Sequence, residues 1–195
     1  MLNIIALYQV YIYIYIFKLR EMTLFHYNLH PEDIPPLLYR VQYPESVTTY
    51  ADDGGLEAPG IDTCHPESPP GLNRIIERHL NWDIEYEETI FISLFASREQ
   101  AEDWMLARHA HFQCEDCSLL EIDGAELRDY VVFSAQYLVE TLSLTISDAA
   151  WENVGDEGEF LIVEYIPPYA INSCETIHDI QSGRITHPLS PLLFG

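Results

Sequence analysis

A run of four apolar residues, 160–163, lies between a polar turn at 153–156 and the proline pair 167–168. A short apolar run between such breakers predicts a buried strand, because proline cannot donate to a sheet ladder. Side chains alternate along a strand, so Glu157 and Glu159 share one face. Two carboxylates at the mouth of a buried strand resist burial, and a fold keeps such a pair for solvent or for chemistry. Both uses stay open on this pair alone.

The chain has 195 residues and a formal net charge of -23. This length predicts one domain with a substantial core. The acidity argues against nucleic-acid partners, because binding a phosphate backbone requires patches of Lys and Arg. A basic or neutral partner, or solubility alone, is consistent with it. The four cysteines (Cys64, Cys114, Cys117 and Cys174) are too few to define a disulfide scaffold and leave the redox compartment open.

The N-terminal segment is almost entirely apolar over residues 2–17, and its basic residues follow from Lys18 onward. A signal peptide has the opposite order, and the run is short for a membrane span. We therefore predict that residues 1–21 lie outside the folded unit as a misassigned start, which makes the protein cytoplasmic. The alternative is a signal anchor, which makes it secreted or membrane-anchored. The folded domain, without membrane contact, is predicted over 22–178, and a tail over 179–195.

The rest of the chain mixes strand and helix patterns without regular alternation. Ser97 is a candidate N-cap for the second helix, on which Trp104 is expected to be a core anchor. No Gly-x-Gly-x-x-Gly or P-loop sequence is present. The pattern favours an α+β domain over a doubly wound sheet. The predicted strands cover 37–41, 91–95, 118–122 and 130–133, and the predicted helices cover 72–80, 98–109 and 135–142.

Four short motifs follow one another along the chain: Leu-Tyr-Arg at 38–40, Gly-Gly-Leu at 54–56, Phe-Ile-Ser at 91–93 and Glu-Gly-Glu at 157–159. Their order and spacing resemble the Arg–Ser–Glu group of ADP-ribosyltransferases, most closely the heat-labile enterotoxin and cholera toxin A chains. The chain also resembles an uncharacterised domain of fungal proteins. The first resemblance implies a split β-sandwich with flanking helices. It also implies NAD as a substrate and transfer of ADP-ribose to a protein arginine.

The resemblance implies a role for each catalytic residue. Breaking the bond between nicotinamide and ribose passes through an oxocarbenium-like state, which a carboxylate stabilises. That carboxylate would be Glu159. Glu157 would position or deprotonate the acceptor guanidinium, and the Ser93 hydroxyl would orient Glu159 through a hydrogen bond.

The resemblance also implies a set of cofactor-binding residues. Arg40 would hold the dinucleotide, because a fork of donors suits phosphate and ribose oxygens. Phe95 would stack on nicotinamide. Ser93, His79 and the turn residue Gly55 complete the set. If this holds, a guanidinium, a hydroxyl and a carboxylate from three distant segments meet in one cleft.

One departure from the resembled family keeps two functions open. The serine strand of that family has the sequence Ser-Thr-Ser, whereas this chain has Ser93-Leu94-Phe95 and lacks two of the hydroxyls. The first function is an active arginine-directed transferase with a protein acceptor. The second is a non-catalytic interaction domain on the same scaffold. The Glu157/Glu159 pair favours the first, and the Leu-Phe replacement favours the second.

A His-x-His and Cys-x-x-Cys cluster (His109, His111, Cys114 and Cys117) has the donor types of a zinc site. Little chain separates the two pairs, and the segment spans a helix end and a strand start. We therefore predict no metal site, with a helix terminus and a buried thiol at this place instead.

Overall fold

The computed structural model describes residues 26–60, 69–82, 89–112, 116–155 and 158–182. These ranges contain nine strands and five α-helices. The strands are β1 (Leu37–Gln42), β2 (Thr49–Tyr50), β3 (Leu56–Glu57), β4 (Phe91–Phe95), β5 (Ser118–Asp123), β6 (Val132–Ser134), β7 (Glu159–Val163), β8 (Tyr165–Ile166) and β9 (Ile171–Thr176). The helices are α1 (Pro69–Leu80), α2 (Arg98–Phe112), α3 (Ala135–Leu142), α4 (Asp148–Val154) and α5 (Ile177–Ser182).

The strands form two antiparallel sheets. The larger has the order β6-β7-β4-β1-β5-β9, and the smaller has the order β2-β3-β8. An apolar cluster that includes Leu38, Leu56, Ile92 and Ile166 joins residues of both sheets. The predicted α+β split sandwich with flanking helices is therefore confirmed.

The larger sheet is weakly paired at its centre. Strands β1 and β5 pair along six positions, whereas β1 and β4 pair only at Tyr39 and Phe95. Strand β4 pairs along its whole length with β7 on its other side. The sheet therefore opens between β1 and β4, and the cleft described below lies beside this opening.

Strand alternation divides β4 between two environments. Ile92 and Leu94 face the cluster between the sheets, whereas Phe91 belongs to a second apolar cluster that includes residues of α1 and α3. Ser93 lies on the same face of the strand as Phe91 and Phe95. The hydroxyl therefore lies on the helix-covered side of the sheet, between two buried aromatic residues.

The predicted elements are found with small changes of boundary. The apolar run at 160–163 is the centre of β7, and Ser97 Oγ accepts from Gln100 N at 3.3 Å, as an N-cap does. The predicted set contains no strand beyond residue 170, although the chain there has regular structure. It forms the edge strand β9, whose half-polar sequence hides its pattern.

Helix α4 is a second element absent from the predicted set. Ser147 caps it, with its side chain accepting from Ala150 N. The predicted domain boundary at 178 falls inside α5, and residues 1–21 lie outside the described residues. Among the helices in the described ranges, none has the length and apolar character that crossing a membrane requires.

Candidate active site

A cleft with a volume of about 230 Å³ opens beside the gap between β1 and β4. It has two sides of different chemistry. One side carries hydrogen-bonding and ionisable groups, and we call it the polar floor: Arg40, His79, Ser93 and Glu159. The other carries aromatic rings and one cation, and we call it the aromatic wall: Tyr43, Trp82, Trp104 and Arg108.

Arg40 bridges the gap in the sheet. Its Nη1 donates to the backbone oxygen of Ser93 at 3.0 Å, so a guanidinium from β1 contacts the backbone of β4. Burial lowers the pKa of Arg40, while Tyr43 and Glu159 oppose that shift. An arginine nevertheless stays charged in a protein. Its Nε is buried without a hydrogen-bond partner among the described residues, so the floor holds one unsatisfied cationic donor.

His79 links α1 to the serine strand. The side chain is only 6% exposed, and its Nε2 lies 2.7 Å from Ser93 Oγ. Its Nδ1 lies 2.8 Å from Thr89 Oγ1. Burial, assisted by the charge of Arg40, lowers the pKa of His79 to about 3. The imidazole is therefore neutral at physiological pH, and both of its nitrogens have partners within the protein.

Glu159 is the buried carboxylate of the floor. It begins β7, lies opposite Phe95 of β4 and is 3% exposed. Burial raises the pKa of Glu159 to about 7, while a hydrogen bond from Ser93 and the charge of Arg40 hold it down. A carboxylate that titrates near neutrality within a cleft is characteristic of functional sites, because structural carboxylates are usually kept well solvated.

The aromatic wall surrounds one guanidinium. The Arg108 Cζ lies 4.5 Å from the Trp104 ring centroid, 5.0 Å from that of Trp82 and 5.7 Å from that of Tyr43. Such distances are typical of cation–π contacts. The rings also contact one another, with the Trp104 centroid 5.5 Å from that of Tyr43 and 5.9 Å from that of Trp82. The wall therefore offers flat, polarisable surfaces beside a positive charge.

The segments that form the wall come from three parts of the chain. Tyr43 follows β1, and Trp104 and Arg108 lie four residues apart on α2. Trp82 follows the end of α1 with a φ of 56°, a left-handed conformation, and its N–H donates to the His79 oxygen at 3.1 Å. This helix-terminal bond turns Trp82 back toward the cleft that His79 also lines.

Most of the residues predicted for the site meet in this cleft. Arg40, His79, Ser93, Phe95 and Glu159 all line it. Glu157 lies outside the described residues.

Gly55 does not line the cleft. It lies in the turn between β2 and β3, where a Cβ would collide with the ring and hydroxyl of Tyr165, so the close packing of that ring requires a glycine there.

The sequence did not reveal the floor's supporting residue Thr89 or the wall. An aromatic or arginine residue in a loop or on a helix carries no local signal of a shared cleft, and Trp104 was expected in the core. Trp104 does pack against an apolar cluster that includes Ala101 and Met105 of α2, and it also lines the cleft.

The His-x-His and Cys-x-x-Cys cluster, for which we predicted no metal site, is only partly described. Cys114 and the side chain of His111 lie outside the described residues. A buried thiol was predicted at this place, and Cys117 is buried, with 1% of its surface exposed.

Comparison with solved structures supports the fold. EcPltA, a typhoid-toxin ADP-ribosyltransferase subunit, superposes with a TM-score of 0.51 at 17% sequence identity. The match covers 72% of this chain and 74% of EcPltA. At this identity the likeness establishes the fold alone. The protein therefore has an ADP-ribosyltransferase-like fold, and NAD is the substrate of related proteins.

Comparison with family models places the chain more narrowly. The model of the domain of unknown function DUF7587 matches residues 33–180. The chain therefore belongs to the DUF7587 family. No curated protein matches the chain.

Proposed function

We propose that this protein is an NAD-dependent ADP-ribosyltransferase that modifies arginine side chains of a protein acceptor. One observation carries the proposal: Arg40, Ser93 and Glu159, from β1, β4 and β7, line a single cleft on an ADP-ribosyltransferase-like scaffold. These three residue types supply the groups that the reaction requires, which are a dinucleotide anchor, an orienting hydroxyl and a carboxylate.

In this proposal Arg40 binds the dinucleotide. Its guanidinium lines the cleft, and a planar fork of charged donors suits phosphate and ribose oxygens. The protein has a net charge of -23, whereas the cleft balances two arginines, Arg40 and Arg108, against two carboxyl groups. An anionic substrate is therefore repelled less at the cleft than the net charge of the protein suggests. Phe95 and the aromatic wall supply flat surfaces for the rings of the dinucleotide.

Glu159 stabilises the transition state. As the bond between C1′ of the ribose and the nicotinamide nitrogen breaks, nicotinamide leaves with the bonding electron pair, and positive charge develops on the ribose. The carboxylate of Glu159 offsets this charge, while the hydrogen bond from Ser93 keeps the carboxylate oriented. A guanidinium nitrogen of the acceptor then bonds to C1′ and releases one proton, for which Glu157 is the proposed recipient.

The test is release of nicotinamide from NAD in the presence of a small guanidino acceptor such as agmatine. We compare the parent with Glu159→Gln, which removes the charge but keeps the shape. Glu126→Gln is the matched control, because Glu126 is exposed outside the cleft. Turnover should fall on the order of 10²–10³-fold in Glu159→Gln and stay unchanged in the control. A parent with no detectable turnover on any guanidino acceptor rejects the proposal.

The second candidate function is a non-catalytic binding domain. It is favoured by Phe95, a 7% exposed aromatic residue at a position where the resembled enzymes carry a hydroxyl. This candidate predicts that ADP-ribose or NAD binds to the parent without nicotinamide release. Calorimetric titration of both ligands, run beside the turnover assay, separates the two functions.

A further inference from the structure

Thr89 lies outside the cleft lining but contacts the polar floor from behind. It precedes β4 and is 1% exposed. Its hydroxyl oxygen accepts from Phe91 N at 3.1 Å and lies 2.8 Å from His79 Nδ1. A buried hydroxyl between a backbone donor and an imidazole has only one hydrogen to give, so the direction of its second bond depends on the histidine.

When Glu159 is ionised, above its pKa of about 7, the hydrogens along this series of hydrogen-bonded groups have one consistent arrangement. An ionised Glu159 can only accept, so the Ser93 hydroxyl donates to it. Ser93 Oγ, with its hydrogen committed, must then accept from Nε2–H of His79. A neutral imidazole carries one N–H, so Nδ1 is bare and accepts from the Thr89 hydroxyl.

We propose that Thr89 is a positioning residue of this site: its hydroxyl fixes the Nε2–H form of His79, and His79 thereby directs the Ser93 hydrogen to Glu159. His79 in turn acts as a relay, since both of its ring nitrogens are engaged inside the protein. Only the kinetic part of this inference rests on the proposed function.

Loss of the Thr89 hydroxyl would allow the hydrogen bonds that link Thr89, His79 and Ser93 to change direction. Without the hydroxyl, neither a bare Nδ1 nor an Nδ1–H has a partner at this position, so the preference for the Nε2–H tautomer weakens. In the fraction of molecules with Nδ1–H, Nε2 accepts from Ser93. The Ser93 hydrogen turns away from Glu159, which loses one of the two interactions that lower its pKa. Arg40 from β1 keeps the other. The remaining titratable groups that line the cleft are Tyr43 and Glu45, which follow β1, and Arg108 of α2.

Two variants test this inference. Thr89→Val removes the hydroxyl at nearly constant shape, and Thr89→Ser keeps it. The first readout is the pair of ¹⁵N shifts of the His79 ring, which distinguish a protonated from a bare nitrogen. We expect Nε2–H in the parent and in Thr89→Ser, and a shift toward Nδ1–H in Thr89→Val. An Nδ1–H tautomer in the parent overturns the inference and requires no variant.

The second readout is the pH at which the Glu159 carboxyl ionises, followed by ¹³C NMR. We expect the midpoint to rise by about one unit in Thr89→Val, because a hydrogen bond to the charged form is lost, and to return in Thr89→Ser. A Thr89→Val protein that keeps both the Nε2–H tautomer and the parent midpoint overturns the inference.

The kinetic readout separates this inference from the proposed function. In an active parent, the acidic limb of kcat for nicotinamide release should move to higher pH in Thr89→Val, with KM for NAD unchanged. If the parent shows no turnover while both NMR shifts occur, the proposed function fails and the positioning role of Thr89 stands. If turnover is present and Thr89→Val leaves its pH profile unchanged, the positioning role fails alone.

Discussion

The two sides of the cleft are held together by different forces. Groups of the polar floor are joined by directional hydrogen bonds. His79 Nε2 lies 2.7 Å from Ser93 Oγ, and Arg40 Nη1 lies 3.0 Å from the backbone oxygen of Ser93. The aromatic wall is joined by contacts around Trp104, whose ring centroid lies 4.5 Å from Arg108 Cζ and 5.5–5.9 Å from two other ring centroids. Directional bonds fix atoms for chemistry, whereas ring contacts tolerate small displacements. We therefore expect the floor to control the reaction and, through Arg40, to anchor the ligand, whereas the wall adjusts affinity by a smaller amount.

The largest expected effect tests whether the floor holds a buried charge at a cost to stability. The folded-state pKa of Glu159 is raised from 4.5 to about 7 by burial. The contribution of the protonated Glu159 carboxyl to the free energy of unfolding is therefore fully present below pH 4.5 and is lost as the pH rises through 7. Glu159→Gln does not ionise, so its free energy of unfolding should exceed that of the parent by about 3 kcal/mol more at pH 8 than at pH 4.5.

The measurement is urea unfolding at a series of pH values. His79 also affects the pH dependence, because its lowered pKa makes the folded protein lose stability as the pH falls below 6.5. That effect is common to parent and variant and cancels in the difference. Glu126→Gln, an exposed substitution of the same charge, should show no such pH dependence. A constant difference between parent and Glu159→Gln from pH 4.5 to 8 would mean that Glu159 is not held at a raised pKa.

The sequence predicted the floor far better than the wall, and the reason is physical. Arg40, Ser93 and Glu159 lie in short motifs on strands, where alternation and pairing determine which side chains share a face. The sheet then fixes their separation. The split-sandwich fold was predicted from a resemblance, because the order and spacing of the motifs along the chain are similar to those of the Arg–Ser–Glu group of ADP-ribosyltransferases. The order of the motifs along the chain does not by itself determine the strand order within the sheets.

The wall could not be predicted because its residues meet only through tertiary packing. The position of the Trp82 ring depends on the left-handed backbone conformation of Trp82 itself, directly after α1. The position of the Arg108 guanidinium depends on how α2 lies over the sheet. Neither has a local signature, and a large aromatic residue on a helix, such as Trp104, is expected in the core. Thr89 was missed because one threonine before a strand is indistinguishable from an ordinary sheet residue. Gly55 was assigned to the site because of its motif, although its contact is with Tyr165.

The second prediction concerns the cation of the floor. Arg40→Lys keeps the charge but replaces the planar guanidinium with a single ammonium. The ammonium cannot reach the backbone oxygen of Ser93 and a substrate oxygen at the same time, as the separate nitrogens of a guanidinium can. We expect the affinity for ADP-ribose to fall about 10–30-fold, corresponding to about 1.4–2 kcal/mol, because hydrogen bonds from charged groups contribute at that level. Isothermal calorimetry measures the change. A loss of twofold or less would show that Arg40 only closes the gap in the sheet.

The smallest expected effect is the matched substitution on the wall. Arg108→Lys keeps a cation facing Trp104, Trp82 and Tyr43, and an ammonium retains most of a cation–π attraction. We therefore expect ADP-ribose affinity to fall only about two- to fivefold, a cost below about 1 kcal/mol. In an active protein KM for NAD should rise by a similar factor while kcat stays constant, because an interaction made equally in ground and transition states affects binding alone. Trp104→Phe is the companion variant, since it keeps a ring under the guanidinium. If Arg108→Lys instead lowers kcat as strongly as a floor substitution does, the division between a reactive floor and a binding wall is wrong, and Arg108 must act on the reacting atoms themselves.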